Sequence, residues 1–268
     1  MADIGLPQAF KVVELKTEND YTKTFTLDGS LAAEPGQFVM AWLPGLEDKP
    51  FSLAGADPIR LTVAAVGPFS RAMHRLQAGD RLWLRGPLGR GFALPAGPAG
   101  QSLLLIGGGY GVAPLLFLAR RAAAPFDKLR AHPTAMIIGA RSSRDLILVE
   151  AFEALGVSLW LTTEDGSRGV TGRVTDALPL ALAHWPRRPA AVYACGPTGM
   201  LEAVARHSAA AGLPMQLAWE APMRCALGLC GSCEVGQGWL ACLDGPVFAF
   251  NPLAVGPGGG EVIDKGSV

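Results

Sequence analysis

The chain places four of its five cysteines in the stretch "MRCALGLCGSCEVGQGWLACLDGPVF", Met223 to Phe248, at the spacing Cys225-x4-Cys230-x2-Cys233-x8-Cys242. Thiols this close in sequence are gathered by one of three arrangements: a disulfide knot, a zinc clamp or an iron–sulfur cluster. Structural zinc takes C-x2–4-C pairs at both ends of a loop, whereas here three thiols are grouped and the fourth stands apart. That grouping is a [2Fe–2S] spacing. Gly228, Gly231 and Ser232 lie between the ligands. A sharply curved loop without bulky side chains can turn backbone N–H groups toward the sulfurs. His74, His132, His184 and His207 are remote from the group, which argues against Rieske-type ligation. Spacing alone favours iron–sulfur and leaves zinc open.

The compartment bears on the disulfide reading. "MADIGLPQAFKVVELK" has no basic segment followed by an apolar core, so no secretory signal is read there. The uncharged run Leu103 to Ala119 is long enough to raise a membrane helix. Gly107, Gly108, Gly109, Gly111 and Pro114 split it into a short strand and a separate helix. A cytoplasmic protein with no membrane span is expected, and structural disulfides are rare in the cytosol. Lys plus Arg and Asp plus Glu balance at 23 each, which gives no electrostatic reason to expect nucleic acid or an anionic membrane as partner.

At 268 residues and 50% hydrophobic, the chain can build two cores and an appendage. From Val12 to about Arg85 the strands are short and separated by turns: "KVVELK", "TKTFTLDG", "GQFVMAWLPG", "IRLTVAAVG" and "DRLWLRGP". "RLTVA" and "RLWLRG" alternate polar and apolar residues, as half-buried antiparallel strands do. One helix-like interruption, "SRAMHRLQAG", ends at Gly79. Together these predict a small antiparallel barrel. The uncharged "ALPAGPAGQ", Ala93 to Gln101, reads as a joint. Beyond it, strands over 103–106, 134–140, 157–163, 190–195 and 215–219 alternate with helices over 112–124, 145–155, 174–184 and 199–211. That alternation predicts a doubly wound parallel sheet. The expected organisation is α+β and multi-domain: a barrel over 1–98, an α/β domain over 99–216 and a small cluster segment with its tail over 217–268.

Two turns carry ligand chemistry. In "LLLIGGGYGVAPLLFLARRA", Gly107, Gly108, Gly109 and Gly111 separate the first parallel strand from its helix. They let the backbone turn sharply and approach a ligand. Pro114 falls in the first helical turn, where its missing N–H costs nothing, and the helix N-terminus offers N–H groups to an anion. The spacing is not G-x-G-x-x-G, so the turn alone supports a phosphate site only slightly better than a plain tight turn. In "YACGPTGML", Cys195, Gly196 and Pro197 end another strand, and ligands of open α/β sheets bind outside such ends. A buried small apolar residue is the equally simple reading of Cys195. The loop "TTEDGSRGVTG", Thr162 to Gly172, ends a third strand on the same side and reads otherwise as a solvated loop.

These residues resemble the ferredoxin–NADP reductase superfamily and, within it, the electron-transfer subunits of NAD-linked dihydroorotate dehydrogenase. Lys49-Pro50-Phe51-Ser52-Leu53 resembles the flavin-binding R-x-[YF]-S-[LI] strand. Gly86-Pro87-Leu88-Gly89-Arg90-Gly91-Phe92 is similar to the family's G-P-L-G-x-G-F, Gly107 to Pro114 to its nucleotide turn, and Cys195-Gly196-Pro197 to the C-G-P that flanks nicotinamide. "EAPMRCALGLCGSC" with the trailing "CLDGPVF" is similar to the cluster motif. The chain departs from the family in three places. Lys49 replaces an Arg and loses its bidentate grip on phosphate. Gly67-Pro68-Phe69-Ser70 stands where the family has G-x-G-T. The last cysteine gap is short, and Ala226 replaces a usual Gly.

The resemblance implies FAD on the barrel, NAD(H) on the sheet and a [2Fe–2S] cluster on Cys225, Cys230, Cys233 and Cys242. It implies that Ser52 contacts the flavin edge, Cys195 helps place the nicotinamide, and Lys49, Gly67 and Ser70 approach the flavin phosphates. It further implies an FMN-containing dihydroorotate dehydrogenase catalytic subunit as partner in a hetero-oligomer, with electrons running through cluster and FAD to NAD⁺. Reductase subunits of hydrogenases or ferredoxin-linked transhydrogenases are the alternatives within this chemistry. A nucleotide-sensing module with a zinc-stapled tail is the alternative outside it. Arg141, Arg144 and Arg168 read either as contacts to a nucleotide's ribose or 2′-phosphate or, as surface arginines usually are, as solvated. Trp83, Trp160 and Trp219 read as core rather than stacking platforms. Glu220 and Met223 fit the motif equally as anchoring and packing residues.

Overall fold

The computed structural model describes residues 5–95, 100–123, 132–185, 188–236 and 238–250. It divides into two compact units. One is the chain up to Gly91 together with Glu220–Val247, and the other is Phe92–Trp219 with the residues after Val247.

In the first unit the polar–apolar alternation becomes strands β1 (Gln8–Asn19), β2 (Thr22–Leu27), β3 (Phe38–Trp42), β4 (Lys49–Ala56), β5 (Ile59–Ala64) and β6 (Arg81–Leu88). They close a barrel in the order β1-β2-β5-β4-β3-β6, with antiparallel neighbours throughout. Closure removes the unpaired edges that an open sheet would expose. The interior is filled by Phe25, Leu27, Leu53, Ile59, Leu61 and Leu82, all fully buried. Truncating any one to alanine is worth about 2–5 kcal/mol.

Helix α1 (Pro68–Met73) connects β5 to β6, two residues earlier and shorter than "SRAMHRLQAG" suggested. Pro68 presets the first helical φ, and Ser70 closes the turn on Gly67. The helix ends at Met73. Beyond it His74 Nε2 lies 2.8 Å from the Val63 carbonyl, and the Gln77 N–H donates to Asp80 Oδ2 at 2.7 Å. Those contacts draw the chain off the helical path.

The second unit is built on β7 (Leu103–Gly108), β8 (Thr134–Ala140), β9 (Ser158–Thr163), β10 (Val170–Thr171), β11 (Ala191–Cys195) and β12 (Met215–Ala218). The sheet order is β10-β9-β8-β7-β11-β12, with a last strand from Val247 to Phe250 beside β12. The pairs from β10 to β12 are parallel. Strand order reverses between β7 and β11, so the crevice of this sheet lies at their carboxyl ends. Helices α2 (Val112–Ala123), α3 (Val149–Glu153), α4 (Val174–His184) and α5 (Thr198–Ala210) cover it. Val174, Ala177 and Leu178 of α4 and Leu201 and Val204 of α5 bury one face with Leu104, Ile106, Ile137, Val192 and Ala194.

The predicted helix over 145–155 is corrected to a single turn at Ser143–Asp145 followed by the short α3. Leu146, Ile147, Leu148 and Val149 are all buried. Four consecutive residues cannot share one face of a helix, and Leu148 takes a left-handed φ of 59°. At the joint, Ala93 is held by both ends of the Gln216 amide and by the Tyr193 hydroxyl at 2.7–2.9 Å. Residues 96–99 of the joint and the tail beyond Phe250 lie outside the described residues.

The segment Glu220–Val247 carries a small hairpin, β13 (Glu234–Val235) and β14 (Trp239–Leu240). Its Met223, Ala226, Cys233, Ala241 and Cys242 form one apolar cluster with Phe38, Met40 and Leu88 of the barrel. Among the described residues no helix is long and apolar enough to cross a membrane.

Candidate functional site

The cysteine loop winds through left-handed turns at Ala226 (φ 51°), Gly228 (φ 74°) and Gly231 (φ 71°). A residue with a Cβ pays about 1–2 kcal/mol for that conformation. Glycine would avoid that cost at position 226, and the alanine there bears it. The turns bring the thiols together, and none of the five cysteines is in a disulfide.

Cys233 and Cys242 are buried with their sulfurs 3.3 Å apart. The Cys225 sulfur accepts the Leu227 N–H at 3.3 Å, and the exposed Cys230 lies 2.9 Å from the Ser232 hydroxyl. The Ser232 hydroxyl first, then the backbone of Cys225 and Ser232 and the Cys225 thiol, draw the Cys230 thiol down to about 6. Burial first, and the adjoining Cys233 thiol second, push Cys242 up to about 11, against a backbone contact from Gly228 that favours the thiolate.

Cys230 thus neighbours Cys225 and Cys242 neighbours Cys233, with Cys225 also close enough to act on Cys242. Among the described residues no three such side chains are arranged about a single ion. Four gathered thiols with backbone N–H groups aimed at sulfur are the donor set that a [2Fe–2S] cluster takes.

Arg85, in the middle of β6, reaches this loop. Its Nη2 donates to the Cys225 carbonyl at 3.0 Å and to Asp48 Oδ2 at 3.4 Å. Its side chain is 13% exposed, and its Nη1 is buried without a partner. A buried donor left unpaired costs about 1–3 kcal/mol, more when charged. A cation held this way beside Cys225 is complementary to an anionic group such as a thiolate-ligated cluster. The sequence reading passed over Arg85, whose only signal is a charge set directly before Gly86-Pro87-Leu88-Gly89.

The flavin-like strand opens β4. Lys49, Pro50, Phe51 and Ser52 are half-buried and Leu53 is buried, with Ser52 opposite Phe38 and Lys49 opposite Ala41. Lys49 Nζ lies 2.8 Å from Glu47 Oε2. That hydrogen bond holds the Glu47 carboxyl below its ordinary range, although an exposed pair adds little stability. The Phe51 ring lies 5.9 Å from the Phe69 ring, which brings the strand to α1. There Ser70 Oγ accepts the Gly67 N–H at 2.9 Å and donates to the Gly67 carbonyl at 3.2 Å. Gly67 and Ser70 are therefore adjacent, with the hydroxyl committed to the helix cap. Gly86 (φ 143°) and Gly89 (φ 73°) both take conformations suited to glycine. A Cβ on Gly89 would lie 2.6 Å from the Gly245 carbonyl oxygen, and the Arg90 N–H donates to that same oxygen at 2.6 Å. The glycine motif thus fastens the cluster segment to the barrel.

In the second unit the structure brings the two predicted turns together. Cys195 pairs with Gly107 across β11 and β7. A Cβ on Gly111 would sit 2.4 Å from the Cys195 carbonyl oxygen and 2.7 Å from the Gly196 nitrogen, and one on Gly108 would meet Met200 and Pro197. Gly109, at φ 56°, faces open space. Pro114 is buried in the first turn of α2. Gly107 is different, because its Cβ would strike Met136, Val112 and Leu115, so its part is helix–strand packing. Cys195 is 5% exposed. Beside the crevice, Thr163 Oγ1 donates to the Arg168 carbonyl and accepts its N–H, and the Ser143 N–H donates to Ser167 Oγ at 2.7 Å. These bonds order the 162–172 loop. Trp160 and Trp219 pack half-buried against the sheet core, and Met223 is a packing residue of the cluster segment.

Comparison with known proteins adds independent observations. Residues 105–206 match the oxidoreductase NAD-binding domain. Residues 220–254 match the iron-sulfur cluster binding domain of dihydroorotate dehydrogenase B. A probable dihydroorotate dehydrogenase B (NAD⁺) electron transfer subunit from Thermococcus kodakarensis is 40% identical over 231 residues, 86% of this chain and 91% of that protein. One from Methanopyrus kandleri is 37% identical, with 90% of each chain covered. Among solved structures, one described as an NADH-dependent reduced ferredoxin–NADP oxidoreductase superposes with a TM-score of 0.77 at 28% identity, covering 93% of this chain and 90% of the other. The ferredoxin reductase of carbazole 1,9a-dioxygenase shares the fold, with a TM-score of 0.66 at 23% identity over 79% of this chain and 68% of that one.

Proposed function

From the premise that the chain belongs to the dihydroorotate dehydrogenase B (NAD⁺) electron transfer subunits, we propose that its partner is an FMN-containing subunit that oxidises dihydroorotate to orotate in the cytoplasm. The chain is a flavin- and iron–sulfur-dependent NAD(H) oxidoreductase subunit. FAD exchanges electrons in pairs with nicotinamide and singly with a [2Fe–2S] cluster, and the protein supplies binding, orientation and exclusion of water. The proposed division of labour gives FAD to residues 1–98, NAD(H) to 99–216 and the cluster to 217–268.

In this reading the principal site residues take the following roles. Lys49 offers its charge to the flavin pyrophosphate, for which it must leave Glu47. Ser52, half-buried on β4, sits at the flavin ring edge, and Pro50, Phe51 and Leu53 shape the strand around it. Gly109 leaves open space for the nucleotide, Gly108 and Gly111 let the turn close on Pro197, Met200 and the Cys195–Gly196 backbone, and Cys195 orients the nicotinamide. Cys225, Cys230, Cys233 and Cys242 hold the cluster.

The observation that carries the reading is the cysteine loop. Its thiols are gathered, it packs on the barrel that bears the flavin motif, and it exposes Leu229 (81%), next to Cys230, and Leu243 (50%), next to Cys242. Exposed leucines around a redox group suit a partner subunit that must come close.

Anaerobic addition of dihydroorotate to the native complex tests the proposal. Bleaching of the visible flavin and cluster absorption is expected. Bleaching by NADH but not by dihydroorotate would assign the chain to another complex. The 28% identical NADH-dependent oxidoreductase makes a ferredoxin-linked transhydrogenase the second reading.

A further inference from the structure

The cluster loop and the flavin-like strand belong to one compact unit, and a single side chain bridges them. Arg85 Nη2 contacts the carbonyl of Cys225, the first cysteine of the loop, and the carboxylate of Asp48, the residue immediately before Lys49. The guanidinium is permanently charged. It is largely withdrawn from solvent, where a charge acts at a lower effective dielectric than in water. Its Nη1 donor is buried and unpaired, so neither acceptor exhausts it. The Asp48 carboxylate, at 3.4 Å and 35% exposed, neutralises it only in part.

We propose that Arg85 is the positioning residue of the cluster, clamping the Cys225 end of the loop to the entry of the flavin strand and favouring the reduced cluster by its charge. This rests on the cysteines holding a [2Fe–2S] group. A cluster that gains an electron becomes more negative, so a fixed cation beside it stabilises the reduced state more than the oxidised one. Arginine suits the place better than lysine, because a planar fork can meet two oxygens and keep a further donor available.

The test uses the full chain in its native complex, with Arg85→Gln and Arg85→Lys. Iron and acid-labile sulfide are measured, and the reduced-cluster signal is titrated against potential by electron paramagnetic resonance. Arg85→Gln is expected to shift the one-electron equilibrium about tenfold toward the oxidised cluster, ~59 mV, while Arg85→Lys recovers most of that shift. Equal potentials in wild type and Arg85→Gln at full iron content overturn the proposal, as do equal shifts in both variants. If both variants lack iron, the melting temperature decides. An unchanged value places the defect at the cluster loop and supports the proposal, whereas a fall of several degrees shows a merely structural arginine. Dithionite can supply the electrons, so a failure of the dihydroorotate reading leaves this outcome readable.

Discussion

Replacing Gly111 by alanine puts a methyl carbon 2.4 Å from the Cys195 carbonyl oxygen, 2.6 Å from its carbon and 2.7 Å from the Gly196 nitrogen. Non-bonded atoms rest at about 3.5–4.0 Å, so the two turns must part by roughly 1 Å. The obstructing atoms are all backbone and have no rotamer to change. The stability cost therefore falls in the upper part of the ~1–3 kcal/mol range for overpacking, or about 2–4 °C in melting temperature for each kcal/mol.

The functional cost is larger, because a displacement of about 1 Å between reacting groups can lower a rate by about 10²-fold. Anaerobic stopped-flow reduction of the flavin by NADH reads it directly, with iron and flavin content as controls for the other unit. The expected result is a rate reduced by about 10- to 100-fold with flavin and iron retained. Gly109→Ala is the comparison. Its Cβ meets nothing within 4 Å and its φ is 56°, so it carries the left-handed cost of about 1–2 kcal/mol without the clash. If Gly111→Ala reduces flavin at the wild-type rate and melts where the wild type does, the contact between the two turns does not shape the nucleotide crevice.

Two further substitutions separate structural from ligand roles. Ser70→Ala removes the hydroxyl that closes α1 on Gly67 and should cost about 1 kcal/mol, seen as a lower midpoint in thermal or urea unfolding. An unchanged midpoint would contradict the capping role. Ser167→Ala removes the side-chain bond that chiefly holds the Asp165 carboxyl below its ordinary 3.8. A depressed carboxyl contributes stability that is complete above its ordinary pKa and is lost as pH falls through the folded value. Carboxyl ¹³C titration should therefore show Asp165 moving up toward 3.8 in the variant, and an unmoved titration would show that Ser167 is not the cause.

The features legible in the sequence are those whose physics is local. Alternation marked the barrel strands because each strand buries one face. The glycines between β7 and α2 broke an apolar run because a turn had to occur there. The cysteine spacing was readable because a ligand set draws on neighbouring residues, whereas the left-handed φ at Ala226 emerged only from the folded loop. The illegible features are long-range. Strands as short as β10, β13 and β14 exist only through their partners. The buried run Leu146–Val149 looked like part of a helix because hydrophobic content without period does not distinguish helix from packed turn. Arg85 and Cys225 meet across 140 residues, and no spacing rule connects them. The same limit applies to Ser70. Resemblance directs its hydroxyl to a phosphate, while the folded chain commits it to Gly67. Motif matching identifies where a ligand belongs, but only the packed structure shows which polar groups are already engaged and which, like Arg85 Nη1, are still available.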